Sequence, residues 1–343
     1  MTLRGNTRKK VDWGRREFLL GSLGWGFAAS GGLSVLGGCT KRDWRADTFI
    51  AKVQNYEADI VSAFGKGFRE LAVGAEEIKG KRILLKPNLI EPHAGAGHIN
   101  THPGVVRAAA EAFLRLGASE VLVGEGPGHS RDSVLVLEES GLGDVLAGEH
   151  IPFVDLNYEP GYKARNLGRQ SRLATLTLPA TLARADWVVS VAKMKTHHWA
   201  GVTLSMKNLF GLMPGIYYGW PKNVFHWEGI DRCIFDINAT VKPHFAIVDG
   251  IVGMEGDGPI MGNPHHAGVI VMGRNLPALD ATCARIMGID PYKVVHLAAS
   301  SGRLGPIRES DIRQRGERIA SVRTDFALLD RIHAQRGIRL GSR

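Results

Sequence analysis

The apolar run Trp187-Val188-Val189-Ser190-Val191-Ala192 leads straight into Lys193-Met194-Lys195-Thr196-His197-His198, and no other stretch constrains the fold as much. A short apolar run of this kind reads as a buried strand, and its carboxyl end carries cationic and proton-handling side chains. In open α/β sheets that end of a strand is where ligands bind. Further strands are predicted at residues 49–53, 82–85, 120–123, 151–156, 245–248 and 269–272. Amphipathic helices are predicted between them, at residues 58–71, 103–116, 229–241 and 276–287. Strands separated by helices predict an α/β fold, a mainly parallel sheet with helices on both faces. The loop-rich stretch 159–172 offers a boundary between two lobes.

The chain's 343 residues, 44% hydrophobic and 22% charged, suffice for a sizeable core, so disorder is not expected. Residues 1–38 read as an export signal: Arg4, Arg8, Lys9 and Lys10 form a basic start, and Gly14-Arg15-Arg16-Glu17-Phe18-Leu19-Leu20 is a twin-arginine signature. Leu36-Gly37-Gly38-Cys39 resembles a bacterial lipobox, with Cys39 lipidated after cleavage, which fits better than the alternative of an uncleaved helix with an incidental cysteine. The chain is thus expected to use the twin-arginine translocase and to sit in the periplasm or cell envelope, held to a membrane through lipidated Cys39. That route carries proteins folded before crossing, which leaves room for a cofactor loaded beforehand. Residues 39–48 form a linker, 49–300 the α/β domain and 301–343 a basic helical extension.

Six of the Lys/Arg residues and two of the acids lie in residues 1–38, so the net charge of +9 falls to +5 without them. Arg308, Arg313, Arg315 and Arg318 alternate with acids, as on a solvated helical face, and no nucleic-acid recognition motif appears. Only Cys39, Cys233 and Cys283 are present, with no Cys-x-x-Cys pair. An iron–sulfur cluster or thiolate zinc site is not expected, and Cys233 and Cys283 read as buried helix residues that could at most form one bridge.

Several predicted strand ends carry polar residues: Lys86 and Asn88; Glu125 and His129; Lys193, Lys195 and His197; Asp249, followed by Glu255 and Asp257. Each alone is better read as a cap or turn residue. In a parallel sheet they converge on one crevice, with the lysines gripping a carboxylate or phosphate. Glu125, Asp249 and Asp257 could hold a divalent cation or act as bases. Residues 249–259 are glycine-dense and read either as a lid or as an Ω-loop, matching no nucleotide fingerprint. His93, His98 and His102 lie in a loop, and His265-His266 would face opposite ways on a strand, so neither set makes a strong metal site.

Lys86-Pro87-Asn88, the helix start Thr101-His102-Pro103, Lys193-Met194-Lys195-Thr196-His197, Lys207-Asn208-Leu209-Phe210-Gly211 and Asp249-Gly250 with Gly258-Pro259 together resemble the bacterial and archaeal family domain of unknown function 362. Unlike some members, this chain has no cysteines for a ferredoxin-like cluster. A more distant resemblance links His197, Ala200-Gly201 and Lys207 to the lactate racemase family. Gly128-His129-Ser130-Arg131, Pro214-Gly215-Ile216 and His226 add to it, although Leu204-Ser205-Met206 departs from that family's pattern. The resemblance implies a catalytic histidine at His197, a companion at His129 and a metal contact at His226. It further implies that Lys207 anchors a nickel-pincer nucleotide.

The expected function is an exported enzyme acting on a small anionic substrate, such as a hydroxy acid, by proton or hydride transfer. His197 would be the acid/base and Lys207 the cofactor anchor or clamp, while Lys86, Asn88, Lys193, Lys195 and Asn208 hold the substrate. The rival is a cell-envelope accessory protein that binds an anion, or helps mature a redox partner, without turnover.

Overall fold

The structure is a computed structural model that describes residues 45–93, 95–129 and 132–341. The export signature, Cys39, Ser130 and Arg131 lie outside the described residues. In chain order the strands are β1 (Ala46–Lys52), β2 (Arg82–Lys86), β3 (Glu120–Glu125), β4 (Phe153–Asp155), β5 (Gly161–Arg165), β6 (Thr175–Pro179), β7 (Trp187–His197), β8 (Gly201–Thr203), β9 (Phe245–Glu255), β10 (Asn263–Gly273) and β11 (Ile312–Gly316).

Nine of them form one sheet in the order β11-β1-β10-β9-β7-β2-β3-β4, with β8 hydrogen-bonded to β7 beyond this path. The pairs β9/β7, β7/β2, β2/β3, β3/β4 and β1/β11 are parallel; β1/β10, β9/β10 and β7/β8 are antiparallel. The class is therefore α/β with a mainly parallel sheet. All eleven residues of β7 are buried, and alternate side chains feed two cores. Val188, Ala192 and Met194 pack with Ile234 and Ile237 of helix Ile230–Val241 and with Leu279 and Cys283 of helix Leu276–Ile286. Trp187, Val189 and Val191 pack with Phe64 and Phe68 of helix Ile60–Glu70 and with Phe113 of helix Pro103–Arg115.

Proline and capping rules explain the local boundaries. β2 stops at Lys86 because Pro87 has no N–H to donate to a ladder. Pro103 opens its helix and His102 is the cap, its Nδ1 accepting from Gly104 N at 3.1 Å. Thr101 Oγ1 donates to Val191 O at 2.8 Å and accepts from Asn88 N at 2.9 Å, which ties the exit of β2 to β7.

Three expectations are corrected. No lobe boundary falls at residues 159–172: β5 and β6 form a small hairpin, and the Asp236 carboxylate accepts from Asn166 Nδ2 (2.7 Å), Gln170 N (2.8 Å) and Ser171 N (2.9 Å). The described residues belong to one compact unit. Residues 301–343 are not a helical extension. Arg313 and Arg315 sit on β11, an edge strand, and both reach the Asp47 carboxylate; alternating charge on a short edge strand mimics a helical face in sequence. The glycine-dense stretch is neither lid nor Ω-loop through Glu255, because Asp249–Glu255 is the second half of β9 and pairs with β10.

Glycine is required there by a close approach. A Cβ on Gly253 would stand 2.6 Å from Met194 O and 3.0 Å from the Phe326 ring. Gly253→Ala is expected to cost about 1–3 kcal/mol, as overpacking does. A urea midpoint equal to that of the parent would contradict this packing.

Candidate functional site

The order of the sheet reverses between β7 and β2: β3 and β4 continue outward from β2, whereas β9 and β10 continue from β7. Adjacent loops leave in opposite directions at such a point and open a crevice at the carboxyl ends of the strands. A cavity of ≈ 390 Å³ lies there, lined by Lys86, Asn88, Glu125, His197, Lys207 and Lys222 among others. This volume suits a small metabolite. Leu89, Ile90, Phe210, Pro221 and Ile260 give it an apolar wall.

A buried ion pair builds the floor. Lys86 Nζ donates to Glu125 Oε2 at 2.7 Å, Pro87 O at 2.7 Å and Asn208 Oδ1 at 2.9 Å, which uses all three ammonium hydrogens. Asn208 Nδ2 donates to Lys86 O at 2.9 Å and Ser190 Oγ at 3.0 Å. Glu125 also accepts from Leu89 N at 3.0 Å and Gly126 N at 2.9 Å. Lys86 and Asn208, expected to hold substrate, therefore have no donor left for it and serve as scaffold. A Cβ on Gly211 would fall 1.8 Å from Glu125 Oε1 and 2.5 Å from Lys86 Nζ, so only glycine fits over the pair.

Lys207 lies on the helical turn Ser205–Asn208. Asp280 fixes the start of that turn, accepting from Ser205 N (2.9 Å), Ser205 Oγ (2.5 Å) and Met206 N (2.9 Å). The Lys207 ammonium lies over the Phe210 ring, 4.0 Å from its centre, and makes no hydrogen bond among the described residues. Burial, then the neighbouring Lys86 charge, lowers its pKa to about 7, while Glu125 and Asp231 hold it up in part.

Two lining histidines have opposite proton arrangements. His197 Nδ1 accepts from Trp199 N at 3.0 Å and Ala200 N at 3.2 Å across the β7–β8 turn, so the neutral ring carries its proton on Nε2. Burial and the charges of Lys207, His198, Lys195 and His226 keep His197 well below its ordinary pKa. It is thus a neutral N–H donor and not a base. His226 Nδ1 lies 3.2 Å from Lys222 O and must donate to it, which leaves the lone pair on Nε2. His129 also lines the cavity and pairs with Glu91.

The other expected site residues lie apart. Lys193 is locked to Asp249 Oδ2 at 2.7 Å and Tyr56 OH at 2.9 Å, and Lys195 donates to Ile99 O at 2.8 Å and Pro259 O at 3.2 Å; neither lines the cavity. Asp257 pairs with Arg331 at 3.0 Å. Glu125, Asp249 and Asp257 each have a separate cationic partner, so they do not assemble a divalent-cation site, and no group of three or more metal-ligating side chains occurs among the described residues. His265 and His266 bond Thr324 and Gln54 O, away from the cavity. Cys233 and Cys283 are buried free thiols on helices, and burial raises both pKa values.

The resemblance to lactate racemases implies a nickel-pincer nucleotide, and two residues fit one. Lys207 presents an amine with no hydrogen-bond acceptor among the described residues, and His226 presents Nε2 while its Nδ1 faces a carbonyl, the usual support of a metal-bound histidine. Such a group would supply a hydride acceptor when bound.

Sequence reading missed Lys222 and Thr203. Lys222 follows Trp220-Pro221 in a loop, where a lone lysine reads as a solvated charge; it is 2% exposed, and burial lowers its pKa to about 7. Its ammonium donates to Asn157 Oδ1 and Met213 O. Thr203 Oγ1 and Asn88 Oδ1 are buried without a hydrogen-bond partner among the described residues, and both residues line the cavity.

Removing one half of a buried ion pair strands the other. Lys86→Met is expected to cost about 3–5 kcal/mol, and the double variant Lys86→Met/Glu125→Leu to recover most of it. Additive losses in urea unfolding would show that the two charges do not stabilise each other.

A protein of Synechocystis sp. called thylakoid-associated is 29% identical over 273 residues, covering 75% of this chain and 78% of that one. The lactate racemase apoprotein of Thermoanaerobacterium thermosaccharolyticum superposes with a TM-score of 0.39 at 15% identity, covering 65% of this chain and 54% of that one. A Thermotoga maritima protein gives a TM-score of 0.39 at 13% identity, covering 68% of this chain and 59% of that one. The chain thus spans little more than half the length of these solved structures. The family model described as Domain of unknown function (DUF362) matches residues 83–285, which takes in β2 through helix Leu276–Ile286 and most of the cavity lining, and the chain belongs to that family.

Proposed function

We propose that the protein is an enzyme that binds a small anionic substrate in the β2/β7 cavity and moves a proton on it. The observation that carries this reading is Lys207: an amine on the cavity wall, without a hydrogen-bond acceptor among the described residues, beside two histidines of opposite tautomer. An amine with a pKa of about 7 gains a proton when an anion enters, and the pair it then forms is strong because the cavity is partly desolvated. His226 Nε2 supplies the base. His197 Nε2–H donates to the oxygen on which charge develops, a role that preserves its tautomer throughout. The apolar wall excludes water from the second half of the substrate. The export signature and lipobox favour a place in the cell envelope, which cell fractionation with and without Cys39 would test.

Anion affinity is expected to be full below pH about 7 and to fall as the pH rises above it, because the free amine then loses its proton. An affinity that rose with pH would contradict the clamp. Intact mass with peptide mapping separates a clamp from an anchor: Lys207 as a clamp keeps an unmodified peptide, whereas a nucleotide-sized adduct would make it the anchor. Once a substrate is found, His226→Gln is expected to lower kcat by about 10²–10⁴-fold, with affinity nearly unchanged, as loss of a general base does. Equal kcat values would remove His226 from the chemistry and favour binding without turnover.

A further inference from the structure

The cavity has more positive charge than its own acid can balance, and it has polar atoms with no partner among the described residues. Lys86 is neutralised by Glu125, but among the described residues Lys207 has no carboxylate partner and Lys222 bonds only to neutral oxygens, Asn157 Oδ1 and Met213 O. Lys222 also has left-handed backbone, φ 68°, just ahead of helix Asn223–Glu228. Asn or Gly tolerates that conformation at less cost, so a buried lysine there is a feature the fold sustains against both strain and desolvation. Asn88 and Thr203, 6% and 3% exposed, line the same cavity with Asn88 Oδ1 and Thr203 Oγ1 unpartnered. An amide oxygen can only accept, so a ligand that satisfies Asn88 brings a donor.

We infer that the ligand is a compact dianion carrying a hydroxyl group, with its charge shared between Lys207 and Lys222 and its hydroxyl donating to Asn88 Oδ1. This rests on the reading of the cavity as an anion site and narrows the substrate class within it. A monoanion leaves one buried amine unmatched, and a neutral sugar leaves both. The charge is carried by two carboxylates or by one phosphoryl group, since lysine, a point charge, accepts either. The groups facing Lys207 are Lys86, Glu125, Asp231, Lys195, Lys222, His197, His198 and His226, and those facing Lys222 are Glu125, Lys86, Asp155 and Lys207. The three carboxylates among them are nearly matched by Lys86 and the two amines in the empty site. Glu125, however, is spent on Lys86, and neither Asp155 nor Asp231 lines the cavity, so the ligand meets a net positive wall.

Calorimetry on the full chain, with tartronate, glycerol phosphate and glycolate as probes, tests the inference. At neutral pH tartronate or glycerol phosphate is expected to bind about tenfold or more tightly than glycolate, the tighter of the two naming the source of charge. Lys222→Met removes the preference for the dianion and leaves glycolate binding within about twofold. Equal affinities of all three probes, or a Lys222→Met variant that keeps the preference, overturns the dianion while leaving the anion site intact. Absence of binding by any probe, with no response to Lys207→Met, overturns the anion site itself. The wild-type comparison decides the matter even if a variant fails to fold.

Discussion

The buried pair Lys86–Glu125 is the constraint on which the site depends. Its two charges end neighbouring parallel strands, and Asn208, bonded to both the ammonium and the backbone of Lys86, brings in the turn that carries Lys207. Ion pairs this deep seldom contribute much net stability, because desolvation offsets the attraction. What this one provides is geometry: with all three ammonium hydrogens committed, β2, β3 and the Lys207 turn hold one arrangement. Gly211, pressed against the pair without a Cβ, closes the floor.

Charge flows from that arrangement to chemistry. Because Glu125 answers Lys86, the remaining amines face the cavity with only neutral or distant partners, and burial brings both down to about 7. A protein that places two such amines, an N–H donor and an unprotonated imidazole nitrogen around one cavity has the parts to bind an anion and move a proton. Asp280 supports this from beneath. Its carboxylate, raised to about 6 by burial, holds the first turn residues Ser205 and Met206 through three bonds.

Much of the fold was legible in residues. The apolar run ending at Ala192, the Pro87 stop, the Pro103 start and the four long amphipathic helices all follow from periodicity and proline chemistry, and the convergence of strand ends follows from parallel order. Most illegible features share one cause, that sequence shows a charge but not its partner. Lys193 looks like a ligand-gripping lysine until Asp249 and Tyr56 are seen to consume it, and Lys222 looks solvated until the Pro221 loop folds it inward. The role of His197 turned on two backbone N–H groups of the following turn, a detail that no spacing encodes. β8 and β11 escaped because short strands beside charged or glycine-bearing turns carry little period-two signal.

The central claim is that Lys207 is an accessible cavity amine with a pKa far below that of a solvated lysine. Competitive acetylation across pH 5–10, read by mass spectrometry of the peptide around Lys207, measures this directly. Half-maximal reactivity near pH 7, abolished by a saturating anion, is expected. Reactivity that rises only near the ordinary lysine value of 10.5, indifferent to anions, would contradict both the buried amine and the site built around it.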